Sequence, residues 1–358
     1  MLLLAGLLTQ DTVAQGIKPP EFTREAMLRG LAHNVLSPGW QAIASNCQEL
    51  TNSIERLIAK PDPSALDATR KIWLDASLAA SRLRCYQAGP VANRDFVSTF
   101  YYWQVLAYRM QDVLNSAKPV NQPYLEELGA VVKGLFAVEY LLFEPAKGKT
   151  NGTGITPLVL EGLLGADAEK SRAYLRALGQ ELAGKAALLS SDWQAPGGTG
   201  ASQKFAAGGQ ESVNLLVNQL AACLEDSAER HLRFVLVLPN PISKQLYRVE
   251  RSRSGSSLAG LLAVLEGAQK IFEGGGGPGL KDAVGRVNPE LEKRLAAQFG
   301  AAIAATRAIG APLEEAAVNN RAAIEAAYEK TRALEIMMKV DVVSALGVTL
   351  TFSSNDGD

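Results

Sequence analysis

Residues 132–143 read VKGLFAVEYLLF. After Lys133 and Gly134 the stretch is apolar, yet Glu139 sits near its middle, between Val138 and Tyr140. A carboxylate flanked this way lies either on the one wet face of a helix or in the interior with a partner. An ionised carboxylate is very costly to bury alone, so the second case demands a cation, a proton or a hydrogen-bond network.

Around this stretch the pattern is helical. A helix is expected over about 124–144, preceded by others over about 23–35, 38–60, 64–88 and 94–117. Thr23 serves as an N-cap, Ser37-Pro38 supplies a cap and an N1 proline, and Ser64 with Asp67 resembles a capping box. Residues 145–154, PAKGKTNGTG, then change composition and read as a linker. Helical patterns resume over about 167–193, 209–236, 256–273, 288–308 and 312–344, separated by glycine-rich loops. The expected fold is all-α: two tandem, four-helix-bundle-like units over 18–145 and 153–358. A short β-like run, Val348–Phe352, leads to a polar tail.

The chain has 358 residues, 47% hydrophobic and 20% charged, enough for two cores. Its formal net charge of -1 offers no basic excess to neutralise phosphates, which argues against nucleic acid as a partner. Leu2–Leu8 is apolar but too short to span a bilayer, and Thr12 and Ala14 stand at the −3 and −1 spacing of a signal-peptidase site. Residues 1–17 therefore read as an export signal that lacks the usual basic start. No later stretch reads as a transmembrane helix.

Of Cys47, Cys85 and Cys223, the first two fall on successive helices. An antiparallel hairpin turning near Pro61–Pro63 separates them by roughly 12 Å along the axis, too far for a disulfide. Free, buried thiols are expected.

Few residues carry recognisable chemistry. The glycine run 274–277 lacks the Lys-Ser/Thr of a P-loop. His33 and His231 have no carboxylate at i+3 or i+4 and read as ordinary surface or helix-end residues, so a histidine-rich metal site is nearly excluded. The segment RVERSRSGSSL, 248–258, contains Glu250, Arg251, Arg253 and Ser254 ahead of an apolar helix capped by Ser256 or Ser257. It is either an anion-holding helix start or a solvated loop. Asp356 and Asp358 form either a weak hard-cation site or a mobile tail.

Taken together, several pieces resemble the imelysin-like proteins, the M75 peptidase family. They are Pro38-Gly-Trp40, Trp73, Phe100–Trp103, GLFAVEYLLF, YLRALGQELAGKAALLSSDW (174–193), VERSRSGSSLAGLLAVLEG (249–267) and the ending LGVTLTFSSNDGD. The family signature is Gly-x-His-x-x-Glu followed by Tyr-Leu-Leu-Phe. Gly134, Glu139 and Tyr140–Phe143 match it, and Phe136 stands at the histidine. Residues i and i+3 share a helix face, so His-x-x-Glu can reach one metal, whereas phenylalanine neither ligates nor moves protons.

The resemblance implies an exported, periplasmic or cell-envelope protein tied to iron uptake, with the motif in a cleft between two bundles. The expected ligand-binding set is Gly134, Phe136, Glu139, Glu250, Arg251, Arg253 and Ser254. Trp73, Arg84, Trp103 and Arg109 are expected as structural partners, with Arg84, Arg109 or Arg251/Arg253 pairing Glu139. No catalytic residue or metal ligand is assigned. Iron or another divalent cation, an unidentified small ligand and a cell-envelope protein are the partners that fit. Two functions remain open: a non-catalytic binding protein, and a metal-dependent peptidase. An equally open reading gives Glu139 a purely structural role, holding the two bundles in register.

Overall fold

The computed structural model describes residues 22–87, 97–144, 155–164, 168–194, 200–238 and 248–350. The signal at 1–17, the linker at 145–154 and the tail from 351 lie outside them. Among the described residues every regular element is helical, and Val348–Leu350 form no strand.

Helix α1 (Arg24–Leu31) is capped by Thr23, whose hydroxyl accepts from the Ala26 N–H at 3.0 Å. It does not stop before Pro38. A π-turn (Ala32–Leu36) carries it into α2 (Ser37–Ala59). Proline lacks an N–H and crowds the carbonyl of residue i−4, and the widened turn just before it accommodates both defects. Ser37 therefore caps nothing and instead accepts from Trp193 Nε1 at 2.7 Å. Helix α3 (Pro63–Arg82) is capped by Asp62, which accepts from the Ala65 N–H at 2.8 Å, rather than by Ser64. Pro63 at N1 sets that start one residue earlier than expected.

Two expected helices are broken. Of the described residues of 94–117, 97–101 form a π-turn, 102–106 take no regular structure and only α4 (Ala107–Asn115) is α-helical. Its aromatic residues are drawn to different neighbours: the Tyr101 hydroxyl donates to Ala80 O at 2.6 Å, and Trp103 Nε1 to Arg248 O at 3.2 Å. The stretch 124–144 divides into α5 (Gln122–Glu127), a 3-10 turn (Ala130–Val132) and α6 (Gly134–Phe143). Gly134 has φ +75°, and a Cβ there would meet Thr99 O at 2.2 Å, so no other residue fits that close approach.

Beyond residue 154 come α7 (Ile155–Leu164), α8 (Ala168–Gln194), α9 (Ala201–Ala207) and α10 (Gly209–Asp226). A π-turn (Ser227–Arg233) extends α10 into α11 (Phe234–Val237). Next are α12 (Ser257–Glu273), α13 (Leu280–Val287), α14 (Pro289–Arg307), α15 (Leu313–Asn319) and α16 (Arg321–Ile336). Helix α13 was not expected; the Asp282 carboxylate starts it by accepting from the Gly279 N–H at 2.8 Å.

Helix α2 lies between α3 and α8, and α6 packs on both α3 and α8. Helices α10, α16, α14 and α12 pack in that order as a second group, and α1 crosses over to join it through α10 and α13. The groups meet where α3 runs against α12. A Cβ at Gly267 would come within 2.0 Å of Arg82 O, so α12 approaches the α3 backbone directly.

The cysteine expectation needs correction. Cys47 is free and buried, but Cys85 and Cys223 form a disulfide. The hairpin spacing correctly separated Cys47 from Cys85. It could not reveal a partner 138 residues away, brought in by packing between groups. Alkylation of the unfolded, unreduced protein should modify one thiol only. Cys223→Ser should lower stability by about 2–5 kcal/mol in urea titrations.

Candidate functional site

The segment 248–256 folds as a tight turn ahead of α12, and it brings four helices to one buried point. Arg251 has φ +61°, the one non-glycine residue with positive φ among those described. Such a backbone persists only where its surroundings over-determine it. Here the guanidinium provides that restraint. Nε donates to Ser77 Oγ at 2.7 Å, and Nη2 donates to Ser81 Oγ at 2.6 Å and Ser77 O at 3.3 Å. Ser77 and Ser81 are one helical turn apart, so both hydroxyls face the same way. Nη1 pairs with Glu250. A Cβ at Gly260 would lie 2.5 Å from that nitrogen, so α12 must be bare at this point. The guanidinium also covers the Phe136 ring, 5.2 Å from its centroid.

Arg84, at the end of α3, bridges two carboxylates: Nη1 donates to Glu250 at 2.7 Å and Nη2 to Asp226 at 2.7 Å. Its guanidinium packs over Tyr101 and Trp103. Arg230 pairs with Asp226 from the rim at 3.1 Å. Burial pushes the Glu250 carboxyl up, but Arg251, Arg84 and His231 outweigh it and hold it at about 2. Burial also depresses the His231 imidazole, against the opposing pull of Glu250. Its Nε2 makes no hydrogen bond and lies 3.5 Å from Glu250 and 3.9 Å from Asp226.

His231 is therefore not a surface residue. Its carboxylate neighbour Asp226 stands five residues earlier, a spacing that an α-helix would rotate away and that the π-turn at 227–233 brings round.

Glu139 is buried, as one of the two initial readings required, but its partner differs. One oxygen accepts from both the N–H and the hydroxyl of Ser254, at 2.9 and 2.8 Å. No described arginine hydrogen-bonds to it. Arg84 and Arg251 are committed as described, and Arg253 donates to Glu144 and to Val105 O. Arg109 is at the surface, 3.5 Å from Asp112, and takes no part. Burial raises the Glu139 carboxyl to about 7, although Ser254, Arg253 and Arg251 all pull it down. Trp73 acts one layer back, donating from Nε1 to Leu135 O at 2.8 Å and fixing α6.

Next to this network a cleft of about 400 Å³ opens, lined among others by Arg84, Tyr101, Trp103, Gln219, Asp226 and Arg230. Glu139, Phe136 and Ser254 do not line it. The structure thus gathers Glu250, Arg251, Ser254, Glu139 and Phe136 into one layer, and Arg84, paired with both Glu250 and Asp226, joins that layer to the cleft wall. Tyr101, Asp226 and Arg230 were not foreseen, because nothing local in the sequence marks Arg84's second partner. Among the described residues no group of three or more His, Cys, Asp or Glu is arranged to hold a metal ion.

Two outcomes follow from the buried charges. Arg84→Met leaves Glu250 and Asp226 short of a cation, and should destabilise the protein by about 3–5 kcal/mol in denaturant titrations. For Glu139 the folded carboxyl sits near 7, above the ordinary carboxylate value, so its contribution is complete below about pH 4 and is lost as pH rises through 7. Glu139→Gln keeps an oxygen for Ser254. It should match wild type at pH 4.5 and exceed it by about 3 kcal/mol at pH 8.5, a gap of the size such a shift implies.

The family model named Imelysin (Peptidase_M75) matches residues 36–338. No curated protein matches the chain. Among solved structures, one described as an iron-regulated protein A precursor from Parabacteroides distasonis ATCC 8503 superposes with a TM-score of 0.78 at 15% identity, covering 93% of this chain and 97% of that one. An imelysin-like protein from Psychrobacter arcticum 273-4 superposes with a TM-score of 0.66 at 17% identity, over 93% of this chain and 99% of that one. At these identities the likeness is one of fold. The family match spans most of the sequence, and the chain belongs to the imelysin family.

Proposed function

We propose that this chain is an exported, non-catalytic binding protein of an iron-associated system, with its ligand held in the cleft beside Arg84. The observation that carries the reading is the state of the motif face. Phe136, which the sequence reading sets at the motif histidine, is fully buried beneath the Arg251 guanidinium, and the Glu139 carboxylate is engaged by Ser254. A zinc centre usually draws three or four ligands from Cys, His and carboxylate. That face offers one carboxylate, already hydrogen-bonded, and a phenyl ring.

Export is supported by the apolar run at Leu2–Leu8 and by the Cys85–Cys223 disulfide, a bond that persists in oxidising compartments. Among the described residues no helix is long and apolar enough to cross a membrane. The iron association is supported by the description of the Parabacteroides structure. The cleft offers Trp103 and Tyr101 as flat apolar surfaces, with Asp226, Arg230 and Gln219 as polar contacts, which suits a small polar ligand better than a polypeptide.

The test compares purified wild type with Phe136→His for zinc and iron content, for calorimetric metal binding and for hydrolysis of an unfolded polypeptide, with and without chelator. Wild type should cleave nothing above background. Phe136→His, which restores the His-x-x-Glu pair, should gain transition-metal affinity and lose stability, because imidazole replaces a packed phenyl ring. Stoichiometric zinc in wild type with chelator-sensitive proteolysis would overturn the proposal and favour the peptidase.

A further inference from the structure

We propose that Cys223 is a thiol-exchange site, at which a small dithiol entering the cleft reduces the Cys85–Cys223 bond and frees the cleft wall. Residues 84–87, in the turn that follows α3, are clasped to α10 by three rungs. Arg84 Nη2 donates to Asp226 at 2.7 Å, Cys85 is bonded to Cys223, and the Gln87 N–H donates to Gln219 Oε1 at 3.2 Å. Gln219, Cys223 and Asp226 are spaced by four and three residues, so they share one face of α10. Gln87 Nε2 also donates to Arg84 O at 2.9 Å, which ties the two outer rungs together within the turn.

This clasp is part of the cleft wall. Arg84, Gln87, Gln219, Cys223 and Asp226 all line the cleft, and Cys85 does not. Cys85 is 1% exposed and Cys223 7%. A thiolate arriving through the cleft therefore meets Cys223. A cleft of about 400 Å³ admits a small molecule and not a folded protein, which makes the reductant a low-molecular-weight dithiol. In an oxidising compartment the bond stays closed until such a reductant is supplied.

The exchange proceeds in two displacements. One thiolate of the dithiol attacks the Cys223 sulfur, the S–S bond breaks, and the Cys85 sulfur leaves as a thiolate and takes up a proton. The second thiolate of the reductant then attacks the reductant's own first sulfur, and Cys223 leaves in the same way. The protein gains two electrons and two protons, and the dithiol departs as a cyclic disulfide. The middle rung is the covalent one, so its loss leaves the turn on two hydrogen bonds at the cleft, where water competes for them. Arg84 covers the Trp103 ring, 5.3 Å from its centroid, so a shift of the turn uncovers that ring. None of this depends on what the cleft binds.

The full chain supplies its own control and its own reporter. Cys47 is free and fully buried, and burial pushes its thiol up to about 12, so it stays unreactive while the fold is intact. Trp40, Trp73 and Trp193 are at most 1% exposed, so a soluble quencher reads Trp103. The folded protein is treated with dithiothreitol, labelled with iodoacetamide and mapped by mass spectrometry. Cys223 should be labelled and Cys47 should not. Acrylamide quenching of Trp103 should rise on reduction and fall back when unlabelled protein is reoxidised. Glutathione disulfide tests the side of entry: Cys85→Ser should take up glutathione at Cys223, and Cys223→Ser should take up none at Cys85. Melting curves establish that these variants are folded, and if either is not, the wild-type labelling and quenching decide. The proposal is overturned if Cys223 is labelled only together with Cys47 or not at all, if reduction leaves the quenching unchanged, or if folded Cys223→Ser reacts at Cys85 as fast as Cys85→Ser reacts at Cys223.

Discussion

A guanidinium taken out of water has to be given anions, and Arg84 is given two that come from different parts of the chain. Glu250 arrives on the turn before α12 and Asp226 on the last residue of α10. Each carboxylate has an arginine of its own, Arg251 for Glu250 and Arg230 for Asp226, but Arg84 is the cation that they share, and a buried guanidinium left short of anions costs several kcal/mol. The end of α3, the end of α10 and the 248–256 turn are therefore placed by one electrostatic condition. Close approach of α12 to α3 follows the same logic, because Arg251 reaches Ser77 and Ser81 only across a helix bare at Gly260.

The site has two layers with different chemistry. The inner layer is internally paired: Arg251 with Glu250 and the α3 serines, Glu139 with Ser254, Phe136 beneath the guanidinium. The outer layer is a cleft with aromatic and polar walls. Arg84 belongs to both. A ligand that altered the Arg84–Asp226 contact would act on the inner layer through this one side chain, without touching Glu139.

Regular helices were legible in the sequence because their apolar positions repeat and their ends carry caps. Helices α8, α12 and α14 lie close to where periodicity put them. Reading failed where an interaction distant in sequence overrode the local pattern. Residues 102–106 would continue a helix by propensity, but Trp103 and its neighbours are held by Arg248 and Val131. Glu139 was recognised as a carboxylate needing a partner. That the partner would be a serine N–H and hydroxyl, with the nearby arginines engaged elsewhere, depends on the positive φ of Arg251, which no composition rule signals. The disulfide and the Asp226–His231 proximity were hidden for the same reason: one spans 138 residues, the other a turn of unusual width.

That unusual width carries its own consequence. A π-turn is an α-helix holding one residue too many, and its neighbours tolerate the surplus only by bulging. Removing a single residue between Ser227 and Arg233 would let α10 and α11 close into one uninterrupted rod. Where the residue is lost decides the outcome. Taken from before His231, it leaves the imidazole four residues after Asp226, a spacing that an α-helix keeps on one face. Taken from after His231, it leaves the spacing at five, and an α-helix then turns the imidazole about 140° round its axis from Asp226. The position of that imidazole is thus set by chain length rather than by composition, and the loss of a residue after it would empty the place it fills although every side chain of the network was still encoded.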